Sequence, residues 1–210
     1  MKILIVSGFL GAGKTTFIKR LARNVDQRFA ILENEYGAAG IDGARLGQNR
    51  QGTQKNVWEM TEQCICCIGK KDFAASVLTI ANVVDPEYLI VEPTGVGSLA
   101  RIIENLRQIE YERIQLLSPV TIVDGYSYRR YMAEYPELYQ DQIRSADTII
   151  VSKTEACQAE EKQRIQKFLQ EINSQAKIIT DYASTMTRED YQSLLLGSRY
   201  EKKAQDTQSG

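Results

Sequence analysis

A three-layer αβα domain on a mainly parallel sheet of about seven strands is the fold this sequence predicts. Short apolar, largely β-branched runs at 2–6, 29–32, 57–60, 88–91, 119–123, 148–151 and 177–180 read as strands. They show little polar alternation, as strands buried on both faces do. Segments 14–24, 70–84, 99–108, 128–145, 159–173 and 188–195 read as the helices between them. Alternating βα units with right-handed crossovers cover such a sheet on both sides. Ligands then collect at the carboxyl ends of the strands.

At 210 residues the chain can bury one substantial core, and residues 1–196 are expected to form a single domain. The polar tail 197–210 is expected to fray. Segment 37–54 interrupts the βα rhythm with five glycines and reads as a long functional loop. A formal net charge of −1 offers no basic field for nucleic acid or anionic membrane. No apolar run reaches the roughly 18 residues that would span a bilayer. The N-terminal apolar stretch runs directly into a glycine loop without a cleavage pattern, so a cytoplasmic location is expected.

That loop, Gly8-Phe9-Leu10-Gly11-Ala12-Gly13-Lys14-Thr15, fits G-x4-G-K-[ST], after a strand and opening a helix. Glycines let the backbone fold around phosphates, and the amides converge at the positive end of the helix. The candidate nucleotide-binding residues are Gly8, Gly11, Ala12, Gly13, Lys14, Thr15 and Thr16. Lys14 would reach the β- and γ-phosphates, and the Thr15 hydroxyl would ligate Mg²⁺. A P-loop nucleotide triphosphatase is therefore expected.

Strand 88–91 runs into Glu92 and then Pro93-Thr94-Gly95. A carboxylate at a strand tip beside a phosphate loop can hold the Mg²⁺ shell or orient an attacking water. Gly95 offers an N–H at close range as a γ-phosphate sensor. Ser152-Lys153-Thr154-Glu155 follows another strand, at the place where GTP-binding proteins carry [NST]-K-x-D. The lysine stem would pack on the purine while the acid accepts from guanine N1–H and the 2-amino group. Adenine lacks that donor pair. Glu155 stands where the motif has Asp, so a general P-loop ATPase stays open as an alternative.

Cys64, Cys66 and Cys67 fall within four residues. Cysteines this close are badly spaced for bridging one another, and metal ligation is the better reading. Thiolates plus one carboxylate suit tetrahedral Zn²⁺, and thiolates also suit Cu(I). The sequence contains no histidine, so any metal site must be built from thiolate, carboxylate, backbone or water. Glu35, just past strand 29–32, is the leading candidate, with Glu33 its competitor. Cys157, standing alone, reads as a small buried hydrophobe.

The motifs GFLGAGKTT at 8–16, ILENEYGAAGID at 31–42, EMTEQCICC at 59–67, LIVEPTG at 89–95, TIVDG at 121–125 and IRSADTIIVSKTE at 143–155 together resemble the CobW/HypB/UreG family of P-loop GTPases, in its CobW-like metallochaperone branch. The resemblance implies GTP/GDP and Mg²⁺ binding, slow GTP hydrolysis, and a metal, usually Zn²⁺, at the CxCC motif. It also makes Asp42 a switch residue near Mg²⁺ and implies a client metalloprotein or cofactor enzyme as partner, with a nucleotide-dependent homodimer open. The chain departs from the family at Glu62-Gln63, where Asn-Gly is usual, at Ala38, where Glu is usual, and at Pro93. No counterpart of the family's C-terminal domain is expected in these residues. The alternative is a nucleotide switch that regulates a corrinoid or nickel enzyme, its cysteine site purely structural.

Overall fold

Strand β1 (Lys2–Gly8) buries Ile3 and Ile5 in one apolar cluster and Leu4 and Val6 in another, on opposite faces of the sheet. Successive strand side chains point to opposite sides, so a strand covered on both has no position left for a polar alternate. The computed structural model describes residues 1–27, 29–35, 57–63 and 70–196.

The other strands are β2 (Phe29–Glu35), β3 (Val57–Gln63), β4 (Tyr88–Glu92), β5 (Gln115–Leu116), β6 (Val120–Asp124), β7 (Thr148–Ser152) and β8 (Lys177–Ile179). They lie in the order β3-β2-β4-β1-β6-β7-β8, with β5 beside β1, and every ladder is parallel. Strands β2, β3 and β4 all lie on one side of β1, and β6, β7 and β8 follow on the other. The end of β1 is thus where strand order reverses, and ligands bind at such a point in open α/β sheets.

The helices are α1 (Lys14–Asn24), α2 (Lys70–Val83), α3 (Leu99–Arg107), α4 (Tyr128–Glu134), α5 (Pro136–Arg144), α6 (Ala159–Ile172), α7 (Tyr182–Thr185) and α8 (Arg188–Ser193). Helix α1 presses Phe17, Ile18 and Leu21 into the cluster around Leu4 and Val6, where Tyr191 of α8 also sits. Helix α3 repeats the device on the opposite face, burying Leu99, Ile102, Ile103 and Leu106. Its first turn is capped by Ser98, whose side chain accepts from the Arg101 N–H. None of the helices among the described residues is long and apolar enough to cross a membrane.

Several features differ from the sequence expectation. The helix expected over 128–145 is two helices, because Pro136 opens α5 and Tyr135 before it leaves the helical region, at φ −137°, ψ 55°. Strands β2 and β3 run three residues further than their apolar stretches, held by a seven-residue mutual register from Phe29↔Val57 to Glu35↔Gln63. Glu35 therefore lies within the strand rather than past its end. The short elements β5 and α7 were not expected.

Candidate nucleotide-binding site

The loop after β1 is shaped by glycines that take backbone conformations closed to other residues. Gly8 leaves the strand at φ +142°, and Gly13 caps α1 at φ +98°. The Ala12 N–H donates to the Phe9 carbonyl at 3.0 Å and closes the turn. Helix α1 starts at Lys14, so its first-turn N–H groups, which lack intrahelical partners, lie where an anion can take them up.

The Lys14 side chain is buried, and its ammonium donates to the Phe9 carbonyl at 3.4 Å. Burial pushes its pKa below the usual lysine range, and the nearby Glu92 carboxylate only partly opposes this. Thr15 is exposed, and its hydroxyl donates to the Glu92 carboxylate, with oxygen separations of 3.0 and 3.3 Å. Glu92 closes β4 immediately beside β1. A hydroxyl and a carboxylate side by side form the hard oxygen pair that suits Mg²⁺.

The segment after Glu92 lies directly on the phosphate loop. A Cβ on Gly95 would come within 2.3 Å of the Leu10 nitrogen and 2.8 Å of the Phe9 carbonyl carbon. Only glycine permits that approach. The Gly97 N–H donates to the Thr94 carbonyl at 3.0 Å, making a tight turn with Val96 outermost.

The third loop follows β7. The Ser152 hydroxyl is buried and donates to the Ala12 carbonyl at 2.6 Å, which ties this loop to the phosphate loop. Lys153 takes a left-handed backbone, at φ +58°, and its ammonium pairs with Asp124 at 2.7 Å. Thr154 is buried and donates to Asp181 at 2.9 Å, while Lys162 holds the second Asp181 oxygen at 2.7 Å. Glu155 is exposed, and so is Thr16 at the start of α1. Cys157 is half-buried rather than core, with Sγ 4.0 Å from the Lys153 carbonyl. It lies past the end of β7, in the connection leading to α6.

Lys14, Thr15, Glu92 and Gly95 are thus gathered at the tips of β1 and β4, with Ser152 bound to the same loop. Asp42, Cys64, Cys66 and Cys67 lie outside the described residues. Glu35 pairs in register with Gln63, the residue just before Cys64. Among the described residues no group of three or more His, Cys, Asp or Glu side chains gathers to hold a metal.

Asp124 was not among the expected site residues, although TIVDG ends an apolar strand in a carboxylate just as LIVEPTG does. It is 5% exposed and accepts from Lys153 and from the Tyr126 and Ser127 N–H groups, at 2.8 and 3.2 Å. Burial pushes its pKa upward, but the Lys153 and backbone hydrogen bonds outweigh that and hold it below the ordinary 3.8. A carboxyl with a depressed folded pKa contributes stability above its unfolded value and loses it as pH falls through the folded one. Asp124→Asn is therefore expected to cost about 2 kcal/mol at neutral pH, the order of a charged hydrogen bond. The gap to wild type should close as pH drops below 3.8. Urea midpoints across pH 2–7 measure it, and a gap that stays constant with pH would contradict the assignment.

A family model describing the CobW/HypB/UreG nucleotide-binding domain matches residues 2–180. The zinc chaperone YeiR of Escherichia coli K12 is 30% identical over 178 residues, covering 83% of this chain and 53% of its own. The zinc chaperone CobW of a Sinorhizobium species is 30% identical over 182 residues, covering 74% and 51%. The chain thus spans about half the length of the curated relatives it matches. Among solved structures, the Zn(II)-bound YjiA GTPase of Escherichia coli superposes with a TM-score of 0.65 at 23% identity, covering 89% of this chain and 58% of that one. The hydrogenase maturation factor HypB of Archaeoglobus fulgidus gives 0.54 at 20% identity, covering 93% and 88%. At these identities the superpositions speak to the fold. The family match over most of the chain settles the relationship: the protein belongs to the CobW/HypB/UreG family of P-loop GTPases and carries that family's nucleotide-binding domain.

Proposed function

We propose that residues 1–196 bind and slowly hydrolyse GTP, and that nucleotide state controls a thiophilic metal, zinc, held by Cys64, Cys66 and Cys67 with Glu35. The observation that carries this reading is the strand register linking the two sites. Glu33 of β2 pairs with Glu92 of β4, and Glu35 of β2 pairs with Gln63 of β3, which leads directly into Cys64. The candidate Mg²⁺ edge and the candidate zinc edge are therefore separated by one strand. A shift at Glu92 on nucleotide turnover would need to cross only β2 to reach the end of β3, the strand that precedes Cys64 in the sequence.

In this reading the Gly8–Thr16 amides and Lys14 grip the phosphates. Thr15 and Glu92 would hold Mg²⁺, with Asp42 beside them, and the ion would neutralise charge on the transferring phosphoryl group. Ser152 couples the base loop to the phosphate loop, Lys153 packs on the purine, and Glu155 accepts from guanine. Gly95 senses the terminal phosphate. The chain contains no histidine to serve as base, which fits a slow intrinsic rate. The zinc assignment gains support from the relatives named zinc chaperones and from one named a zinc-regulated GTPase metalloprotein activator, in Dictyostelium discoideum. The partner is then a metal-requiring client protein.

Competition for Zn²⁺ against a chromophoric chelator, with apo, GDP-bound and GTP-analogue-bound protein, tests the reading. The apparent zinc Kd is expected to differ at least about tenfold between the two nucleotide states, a coupling within the usual allosteric range. Cys66→Ser should weaken binding in every state. Curves that the substitution leaves unchanged would refute the metal site. Zinc binding indifferent to nucleotide would point instead to a structural cysteine site in a regulator. ATP competing as well as GTP would remove the guanine assignment.

A further inference from the structure

Gln142 is a buried amide that the proposed nucleotide chemistry leaves unused. It sits on α5, is 1% exposed, and its Nε2 donates to the Gly95 carbonyl at 3.2 Å and to the Gly97 carbonyl at 3.0 Å. Those two carbonyls flank exposed Val96 in the turn that rests on the phosphate loop. The Gln142 backbone is fixed in turn, because its carbonyl accepts from the buried Thr121 hydroxyl of β6 at 2.9 Å. Its Oε1 is buried with no hydrogen-bond partner. Flipping the amide would set that oxygen against two carbonyls, so the orientation is determined by the loop.

The neighbouring contacts run the same way. Asp141 accepts from the Ala100 N–H, at 3.4 Å, in the first turn of α3, so consecutive α5 residues hold both ends of segment 95–100. Helix α4 touches the phosphate loop itself. The Tyr131 hydroxyl donates to the Leu10 carbonyl at 3.0 Å, and its ring lies 4.6 Å from that of Phe9. The α4–α5 pair therefore grips both halves of the site, the phosphate loop through Tyr131 and the loop after β4 through Gln142.

We infer that Gln142 is a positioning residue that holds the Gly95–Gly97 turn in the geometry that distinguishes a nucleoside triphosphate from a diphosphate. The inference rests on the reading of Gly95 as the terminal-phosphate sensor. A turn with both carbonyls pinned presents the Gly95 N–H in one direction, and a favourable contact with the terminal phosphate then costs no loop ordering. Without the amide, two buried carbonyls lose their donor and the turn loses its fixed direction. A diphosphate does not reach this turn and is indifferent to it.

The test measures dissociation constants for GDP and for a non-hydrolysable GTP analogue, with Mg²⁺, in the wild-type chain and in Gln142→Met. The analogue is expected to bind about tenfold more weakly to the variant, the loss of two neutral hydrogen bonds, while GDP changes by less than about twofold. A merely structural role would weaken both ligands together. Equal weakening, or no change in either, overturns the inference. A wild-type chain that binds neither nucleotide fails at an earlier point: it refutes the guanine-nucleotide reading, and the inference falls with it. If Gln142→Met does not fold, the ¹⁵N side-chain amide resonance of Gln142 in the wild-type protein decides. It must move between the GDP and analogue complexes, and coincident resonances overturn the assignment.

Discussion

Lys14→Met is expected to abolish nucleotide binding while leaving the nucleotide-free protein at least as stable as wild type. The two effects have one cause. The ammonium is buried and faces a carbonyl at 3.4 Å, with Glu92 as the opposing charge, and desolvation dominates its environment. A lysine whose folded pKa is lowered binds its proton more weakly folded than unfolded, so its charge costs stability at neutral pH. That cost should diminish as pH climbs from the folded pKa towards 10.5, a rise the methionine variant lacks. When phosphates arrive the same ammonium gains charge-assisted hydrogen bonds in a low-dielectric site. Losing them should weaken GTP binding by at least about 100-fold, since each is worth roughly 1.5–3 kcal/mol. Calorimetric titration and thermal melts with and without nucleotide measure both halves. Affinity within about threefold of wild type, or a clearly lower apo melting temperature, would contradict this account.

What the sequence made visible in this site was its local chemistry. The glycine loop, Glu92 and the Ser152–Glu155 segment each lie at the end of an apolar run, and a strand tip needs no tertiary information to be recognised. Pairings were harder. Asp124 and Lys153 are 29 residues apart and meet only because β6 and β7 are neighbours in the sheet. Thr154 after β7, Lys162 on α6 and Asp181 at the start of α7 converge, and no spacing rule announces it. Gln142 reads as one polar residue on an amphipathic helix. Its burial is decided by the glycine turn packed opposite, which offers carbonyls instead of side chains.

The fold shows the same division. Both-face burial explains why the runs at 2–6, 88–91 and 148–151 lack alternation, and periodicity alone locates them. The polar extension of β2 through Glu33-Asn34-Glu35 carries no such signal, because pairing with Thr61-Glu62-Gln63 determines it. Pro136 could have divided 128–145 in advance. The helical spacing on either side of it masks a break that proline chemistry makes necessary. With two residues, β5 is too short to leave a period, and its place is set by hydrogen bonding to Met1 and Ile3.

Gly8→Ala should be the most damaging single-methyl change in the phosphate loop, and the comparison with Gly11→Ala isolates the reason. Both glycines have positive φ, +142° and +72°, so both substitutions incur backbone strain. They differ in space. An added Cβ at Gly11 meets nothing within 4 Å, whereas at Gly8 it would lie 2.4 Å from the Ile122 carbonyl oxygen. That oxygen belongs to the strand with which Gly8 pairs, so relief means separating β1 from β6 at the centre of the sheet. Strain of about 1–3 kcal/mol and overpacking of a similar size give about 4 kcal/mol for Gly8→Ala. Gly11→Ala, with strain alone, should cost about 1 kcal/mol. Urea unfolding of the two variants tests the difference directly. The larger loss approaches the total stability of many domains, so Gly8→Ala should also accumulate poorly when expressed. Equal losses from the two substitutions would mean that β1 and β6 do not approach each other at Gly8 as closely as the Ile122 contact requires.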